Sequence, residues 1–133
     1  MGGGKRGPNG RIIIPSNADI WEHELSAAKR LASTGRDIEF LPRIEGREVK
    51  TADILMDGIA WEMKSPESSN LKSLQRILRR AGKQSPNVLI DVARMHGVPT
   101  PAIDRELRRL KPLVRSIRRL RLLTREGIVV DIP

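Results

Sequence analysis

The sequence predicts a single α/β domain in which helices cover the faces of one mixed β-sheet. Two observations support this class. Stretches whose apolar residues recur every three or four positions, as on one side of a helix, alternate along the chain with short apolar stretches that are typical of strands. Their order is helix, three strands, helix, strand, helix and a final strand pair, which builds a sheet with helices on its faces. A length of 133 residues fits one domain.

Local signals place the individual elements. Residues 1–17 are rich in Gly, Pro, Asn and Ser and lack the apolar segment of a secretory signal, so we expect a flexible basic leader ahead of a domain at 18–133, with packing of Ile12-Ile13-Ile14 as the alternative for that segment. The predicted elements are a helix capped by Ser16 or Asn17 that runs to about Thr34 and stops at Gly35, strands at 37–41, 51–56 and 59–64, a helix capped by Ser69 or Asn70, a strand at 87–92, a helix at 100–110, and strands at 117–123 and 127–132.

The clearest of these signals is Asp57-Gly58. An Asp-Gly pair between two apolar segments is the strongest short-range sign of a β-hairpin, so the strands at 51–56 and 59–64 are expected to pair antiparallel. The continuous apolar run at 87–92 indicates a strand covered on both faces. Between the first two strands, residues 43–50 with Gly46 are expected to form a loop or turn.

Composition narrows the functional classes. Lys and Arg total 25 against 16 Asp and Glu, a net charge of +9 that favours a polyanionic partner: nucleic acid, an anionic membrane surface or an acidic protein. A soluble surface that is merely basic is the alternative. The chain has no Cys, which excludes disulfides and thiolate chemistry, and no apolar run of about 18 residues, which excludes a membrane-spanning helix. With two Trp, one Phe and no Tyr, it is poorly equipped to form a stacking platform for single-stranded bases, which needs several exposed aromatics.

The strand at 59–64 carries the candidate chemistry. Because strand side chains alternate between faces, Glu62 and Lys64 share one face while Trp61 and Met63 share the other. Across the hairpin, Asp53 is expected beside Glu62, where two carboxylates would repel each other. A divalent cation between them, Mg²⁺ or Mn²⁺, would remove that repulsion, since hard cations take oxygen ligands. A solvated ion pair on an exposed strand is the alternative.

Further candidates lie on the helices. Glu24 falls on the apolar side of the first helix, where a charge needs a partner, and is expected to join the metal-binding acids, unless its side chain extends outward from the margin of that side. Gln84 follows the second helix and is expected either to contact the substrate or metal-bound water, or to be an ordinary helix-end amide. His23 and His96 show no triad or zinc spacing, and a two-histidine ribonuclease mechanism is the less favoured alternative.

Basic residues cluster in two regions, the second helix and the C-terminal fifth of the chain. Phosphate contacts from such residues supply affinity and register rather than sequence reading, and some of these residues are expected to be only solvated charge. The predicted nucleic-acid-binding residues are Arg76, Arg79, Arg80, Lys83, Arg108, Arg109, Arg119 and Arg121.

One motif resembles that of the PD-(D/E)xK nucleases. It consists of Asp53, eight further residues and then Glu62-Met63-Lys64, with Ala52 where that family often has Pro. Over roughly residues 20–131 the chain further resembles the C-terminal tRNase domain of contact-dependent growth inhibition toxins. The residues that carry this second resemblance are Glu24, Ala28, Leu31, Gly35, Leu41-Pro42, Lys50, Asp53, Gly58, Trp61-Glu62-Met63-Lys64, Ala81, Gln84, Asn87 and Ile90-Asp91.

The resemblance implies a PD-(D/E)xK-like αβββαβ core and a toxin nuclease that hydrolyses phosphodiester bonds of RNA, above all tRNA. It implies that Glu24, Asp53 and Glu62 bind the metal, Mg²⁺ or Mn²⁺ with Zn²⁺ as an alternative, and that Lys64 and Gln84 complete the catalytic set. It also implies a cognate immunity protein, which charge complementarity predicts to be acidic. If the domain is delivered as a toxin, it is expected to act in the cytoplasm of the target cell. If it is not delivered, it is expected in the cytoplasm of the cell that makes it.

Two other functions stay open at this point. The same fold could cut DNA, as restriction and junction-resolving enzymes do. The chain could also be a non-catalytic basic module that binds nucleic acid, although the combination of Asp53, Glu62 and Lys64 counts against that interpretation.

Overall fold

The computed structural model describes residues 9–16, 18–42 and 52–133, which form a mixed sheet with helices on both faces. Within these residues there are seven strands, whose order in the sheet is their order along the chain. The elements are β1 (Ile12–Ile13), α1 (Glu22–Ala32), β2 (Ile38–Phe40), β3 (Ile54–Met56), β4 (Ile59–Lys64), α2 (Leu74–Gln84), β5 (Asn87–Asp91), α3 (Thr100–Leu110), β6 (Arg119–Leu123) and β7 (Val129–Ile132), with short 3₁₀ turns at Leu71–Ser73 and Lys111–Leu113.

The sheet is antiparallel from β2 to β4 and parallel from β4 to β6, and an antiparallel strand closes the far edge. Parallel neighbours need a crossover, and here α2 connects β4 to β5 while α3 connects β5 to β6. The edge strand β1 is parallel to β2. The predicted α/β class and the predicted order of helices and strands are therefore confirmed, with β1 as an additional strand.

Two apolar cores lie on opposite faces of this sheet. On the α2–α3 face, Val88, Ile90, Leu120 and Leu122 pack with buried residues of α2 and α3. On the α1 face, the buried side chains of the sheet pack with Ala27, Ala28 and Leu31 of α1. The sheet residues of this second core are Ile38, Phe40, Ile54, Met56, Trp61, Met63, Leu89 and Leu123. Strand β4 therefore contributes Trp61 and Met63 to the α1 face, as the alternation predicts.

The β3–β4 hairpin is confirmed. Asp57 and Gly58 both have positive φ values, 51° and 81°, which is the backbone geometry of the two-residue type I′ turn that Asp-Gly favours. The turn pairs Met56 with Ile59 and so sets Ile54 opposite Trp61. This register determines which side chain of β4 lies nearest to Asp53.

The start of α1 differs from the expectation. The predicted cap was Ser16 or Asn17, but the helix begins at Glu22, and Asn17 lies outside the described residues. The reason is local hydrogen bonding: the Glu24 carboxylate accepts a bond of 3.0 Å from the Trp21 amide, which satisfies one of the unpaired donors at the helix start. The predicted stop is confirmed near Gly35, whose φ is 91°.

The leader also differs from the expectation. Ile12 and Ile13 form β1 beside β2, the Gly10 amide donates to the Ala32 carbonyl at 2.7 Å, and the Arg11 amide donates to the Asp37 carboxylate at 2.8 Å. Residues 9–16 therefore belong to the fold, because a chain with few helix or strand signals of its own gains hydrogen bonds from the edge of an existing sheet. Residues 1–8 and the predicted loop at 43–50 lie outside the described residues.

Candidate active site

A carboxylate and an amine lie side by side on β4. Glu62 is opposite Val88 in the parallel pair with β5, so Glu62 and Lys64 lie on the α2–α3 face. The Lys64 Nζ atom is 2.9 Å from Glu62 Oε2. Glu62 is only 3% exposed, whereas the Lys64 side chain keeps 37% of its surface open to solvent. The pair therefore joins a buried negative charge to a cation that a ligand can reach.

Asp53 lies beside this pair. It directly precedes β3, and its amide donates to the Trp61 carbonyl at 3.0 Å. Its side chain turns back towards β4, where Asp53 Oδ2 accepts a hydrogen bond of 3.0 Å from the Met63 amide. The carboxylates of Asp53 and Glu62 thus come from two adjacent antiparallel strands, in the neighbourhood that the hairpin register predicts.

The electrostatics of Glu62 are unusual for a glutamate. The pKa of its carboxyl is raised from 4.5 to about 7, mainly by burial and also by the negative charge of Asp53, while the hydrogen bond from Lys64 opposes both effects. Glu62 Oε1 is also buried without a hydrogen-bond partner in the described part of the chain. An unsatisfied buried oxygen is costly, so this half of the carboxylate has unused capacity to accept a bond from a ligand.

The pair fits a hard divalent cation in part. Mg²⁺ is usually held by one or two carboxylates, with water and substrate phosphates as the other ligands, and Asp53 and Glu62 with its unpartnered Oε1 meet that requirement. The larger predicted set of acids is not assembled. Across residues 9–16, 18–42 and 52–133, no three His, Asp or Glu side chains form a group that could hold a metal ion.

Glu24 is the acid that the structure does not group with Asp53 and Glu62. Its side chain is half-buried at the start of α1, and one of its oxygens accepts the bond from the Trp21 amide. The expectation that a charge at this position needs a partner holds, but this oxygen is engaged in helix capping. A metal-binding role for Glu24 stays a prediction.

Gln84 is exposed at the last position of α2. Gln84 lies near the start of β5, and Lys64 lies at the end of β4. Because the two strands are parallel, these positions are at opposite ends of the strands. Contact of Gln84 with substrate or with metal-bound water stays a prediction. His23 stacks against Trp21 with 6.3 Å between ring centroids, and His96 is exposed in the turn after β5.

The predicted nucleic-acid-binding residues separate into three groups. Those of α2 are exposed and line a shallow groove of about 440 Å³ together with Lys72 and Gln75; they are Arg76, Arg79, Arg80 and Lys83. On α3, Arg108 pairs with Asp104, and Arg109 pairs with Glu106 at 2.7 Å. We refer to the groove on α2 as the basic groove. Within the described part of the chain its four predicted cations form no ion pair, whereas Arg108 and Arg109 of α3 do.

The third group lies on β6. Arg119 and Arg121 alternate with Leu120 and so lie on the sheet face opposite α2. Arg121 pairs with Asp131 at 2.7 Å and covers the Trp61 ring at 4.7 Å from its centroid. The predicted nucleic-acid-binding residues are therefore divided between the two faces of the sheet, because strand alternation places Arg119 and Arg121 on the face opposite α2 and α3.

One buried cluster was given no role by the sequence analysis. Asp91 ends β5 and is 0% exposed, and both its oxygens accept bonds of 2.9 Å from Arg30 of α1. The Ser65 hydroxyl donates to the same carboxylate at 3.1 Å, and Arg94 donates to the Ser65 carbonyl at 2.7 Å. These bonds fix the segment that follows Lys64. A carboxylate that ends an apolar run is the sequence signal for such a cluster, since a buried charge requires a partner.

The fold and the site together define a mixed α/β domain with two carboxylates and a lysine at the centre of its sheet. The sequence profile described as "Contact-dependent growth inhibition CdiA C-terminal domain" matches residues 50–129. That match spans more than half of the chain, so the chain belongs to this family, which comprises bacterial toxin domains. No curated protein sequence matches the chain closely enough to count as a relative.

A solved structure has a similar fold. A chain of the CdiA-CT/CdiI toxin and immunity complex from Burkholderia pseudomallei superimposes with a TM-score of 0.66, over 92% of this chain and 98% of that chain. The two sequences are 18% identical, so the likeness establishes the shared fold. In the described residues, no helix combines the length and the apolar character needed to cross a membrane.

Proposed function

We propose that the chain is a metal-dependent nuclease of the PD-(D/E)xK type that acts as a contact-dependent growth inhibition toxin by hydrolysing RNA, with tRNA as the favoured substrate. The observation that carries this proposal is the state of Glu62. It is buried and lies beside Asp53, with one oxygen on Lys64 and the other without a partner among the described residues. Such an arrangement destabilises the free protein and is understandable if a ligand completes it.

The residues have distinct roles in this proposal. Asp53 and Glu62 would hold the cation, and the Met63 amide keeps the Asp53 carboxylate oriented towards β4. When bound, a divalent cation polarises the scissile phosphate and lowers the pKa of a coordinated water. Lys64 is half-exposed and carries three donors, so it can stabilise the charge that develops on the phosphate oxygens while it holds Glu62 Oε2.

The substrate choice rests on charge and on the family. The basic groove presents exposed cations on the outer surface of α2, the helix that covers the sheet face of Glu62 and Lys64, which suits a polyanionic substrate. The preference for RNA over DNA, and for tRNA within RNA, follows the resemblance to the tRNase toxins.

An immunity protein is the expected partner. The structure with the similar fold is a toxin and immunity complex, and a toxin that acts in the cytoplasm of a target cell must be neutralised in the cell that makes it. The net charge of +9 predicts an acidic partner. We expect it to cover the basic groove, because acids inserted directly beside Asp53 and Glu62 would meet like charge.

Incubation of the purified protein with total tRNA and with supercoiled plasmid, each with Mg²⁺, Mn²⁺, Zn²⁺ or EDTA, tests the proposal. We expect metal-dependent cleavage of tRNA, and none by Glu62→Gln, which keeps the size of the side chain. Cleavage of plasmid alone would assign the fold to DNA. Absence of cleavage of either nucleic acid under every condition would overturn the nuclease proposal.

A further inference from the structure

A cleft separate from the basic groove opens beside the C-terminal ends of strands β4 and β5. It has a volume of about 460 Å³ and is lined by Trp21, Glu22, His23, Ser26 and Arg94. Its position relative to the candidate active site follows from the chain: Arg94 donates to the carbonyl of Ser65, the residue after Lys64. The cleft is formed by the start of α1, and Glu62 and Lys64 lie on the other face of the sheet. The hydrogen bond between Arg94 and Ser65 links the two at the end of β4.

Trp21 is the notable residue of this cleft. It is 59% exposed, whereas the second tryptophan, Trp61, and the single phenylalanine, Phe40, are buried in the core on the α1 face. The exposed indole leaves a large aromatic face available for a ligand to stack on. The neighbouring His23 ring lies within 25° of parallel to the indole, so both rings offer faces of similar orientation.

Arg94 places a fixed guanidinium group at the same cleft. It is held by the Ser65 carbonyl and by the Glu67 carboxylate at 3.2 Å. Its Nε atom is buried without a hydrogen-bond partner in the described residues. Across the cleft, Glu22 offers a carboxylate that accepts from N–H groups. Aromatic faces, a guanidinium and an acceptor are the groups that bind an unpaired nucleobase, which stacks on its faces and donates from its edge.

We propose that this cleft binds an unpaired nucleobase of the RNA substrate, stacked on Trp21, close to the phosphate that is cut. This inference rests on the proposed function and adds a recognition element to it. A protein partner could also use an exposed tryptophan, but the connection of the cleft to Lys64 through Ser65 and Arg94 favours the substrate. Base stacking would further favour single-stranded loops over continuous duplex, because paired bases present no free face.

Binding of a short single-stranded oligoribonucleotide to the Glu62→Gln protein tests the inference without cleavage. We expect the oligonucleotide to quench the fluorescence of Trp21, and an abasic chain of the same length to quench it little. Trp21→Ala should weaken binding by about 5- to 100-fold, as removal of one stacking platform does, while Trp21→Phe should retain most of the affinity. The slope of log affinity against log salt should stay unchanged, because the substitution removes no cation.

Ile128→Ala is the matched control, since Ile128 is 58% exposed in the turn before β7 and outside the cleft. Equal affinity of Trp21→Ala and the control, or equal quenching by the abasic chain, would overturn the inference. It would also be overturned if Trp21→Ala left RNA binding intact and weakened only the complex with the immunity protein. Trp21-dependent RNA binding without cleavage of either tRNA or plasmid by the wild-type protein would support the binding cleft and refute the nuclease proposal.

Discussion

Asp91 and Glu62 are both buried carboxylates on neighbouring parallel strands, yet the fold treats them differently. Asp91 receives two bonds from Arg30, one from the Ser65 hydroxyl and one of 3.1 Å from the Ala93 amide. Glu62 has Lys64 on one oxygen, and its other oxygen has no partner among the described residues. The first group is compensated from within the chain, and the second is left incomplete.

The difference separates a structural charge from a functional one. A compensated buried ion pair holds elements together, here α1 to β5, and its removal harms the fold. An incomplete one costs stability and persists where a ligand completes it, which is why perturbed carboxylates cluster at active sites. The pKa of Glu62, raised to about 7 mainly by burial, reports the same incompleteness. Substitutions at Glu62 and at Asp91 therefore distinguish a functional buried charge from a structural one.

The largest expected effect is on catalysis. Glu62→Gln and Asp53→Asn should each lower the rate of RNA cleavage by about 10² to 10⁴-fold, the usual cost of a needed catalytic group. Both variants should stay folded, because each keeps the side-chain volume and removes a repulsive charge. Single-turnover cleavage with excess protein measures the rate, and circular dichroism checks the fold. Activity above about a tenth of wild type in both variants would contradict the assignment.

The second effect is on stability. Asp91→Ala should destabilise the fold by about 3–5 kcal/mol, because it leaves the Arg30 guanidinium, whose side chain is only 17% exposed, without its counter-charge. Urea unfolding measures the change. The double variant Arg30→Met/Asp91→Leu should recover much of the loss, since apolar replacement of both partners is often neutral. A destabilisation below about 1 kcal/mol in Asp91→Ala would mean that the pair is not structural.

The third effect concerns pH. An acid whose pKa is higher in the folded than in the unfolded chain stabilises the fold while it is protonated. The stabilisation from Glu62 is therefore complete below pH 4.5 and is lost as the pH rises through about 7. At 1.36 kcal/mol per pKa unit, the loss amounts to at most about 3 kcal/mol. Unfolding in EDTA from pH 5 to pH 8 should therefore show a falling stability of wild type relative to Glu62→Gln.

Addition of Mg²⁺ at pH 8 provides the control for this titration. A cation that binds the ionised carboxylates should raise the stability of wild type and leave Glu62→Gln nearly unchanged. Parallel stability curves for the two proteins across the pH range would show that Glu62 does not titrate between 4.5 and about 7.

The smallest effect extends the contrast to the arginines. Arg79→Gln/Arg80→Gln removes exposed charges of the basic groove, while Arg108→Gln/Arg109→Gln removes the same charge from residues paired with Asp104 and Glu106. Only Arg79→Gln/Arg80→Gln should weaken RNA binding. It should also lower the slope of log affinity against log salt, by about 0.7 to 0.9 for each phosphate that the variant no longer neutralises. Equal slopes for both double variants would place the RNA elsewhere.

Much of the fold and part of the site were predictable from local sequence. The Asp57-Gly58 turn sets the hairpin register, and alternation along β4 then places Glu62 and Lys64 together, away from Trp61. The helix α2 follows from its apolar periodicity, and α3 follows from Thr100-Pro101 at its first turn. These features depend on residues a few positions apart, so the sequence contains their full physical cause.

Other features arise between distant segments, and only the tertiary structure decided them. The pairing of β1 with β2 needs an edge that forms elsewhere, and the start of α1 depends on whether Glu24 caps the helix or enters the site. The partners of a charge are equally non-local: Asp91 is compensated across 61 positions by Arg30, whereas Glu62, within the described ranges, has its neighbour Lys64 on one oxygen and no partner on the other. The sequence by itself determined that carboxylates stand on these strands. The packing of the elements determined which one stays incomplete, because burial and partners exist only once the chain has folded.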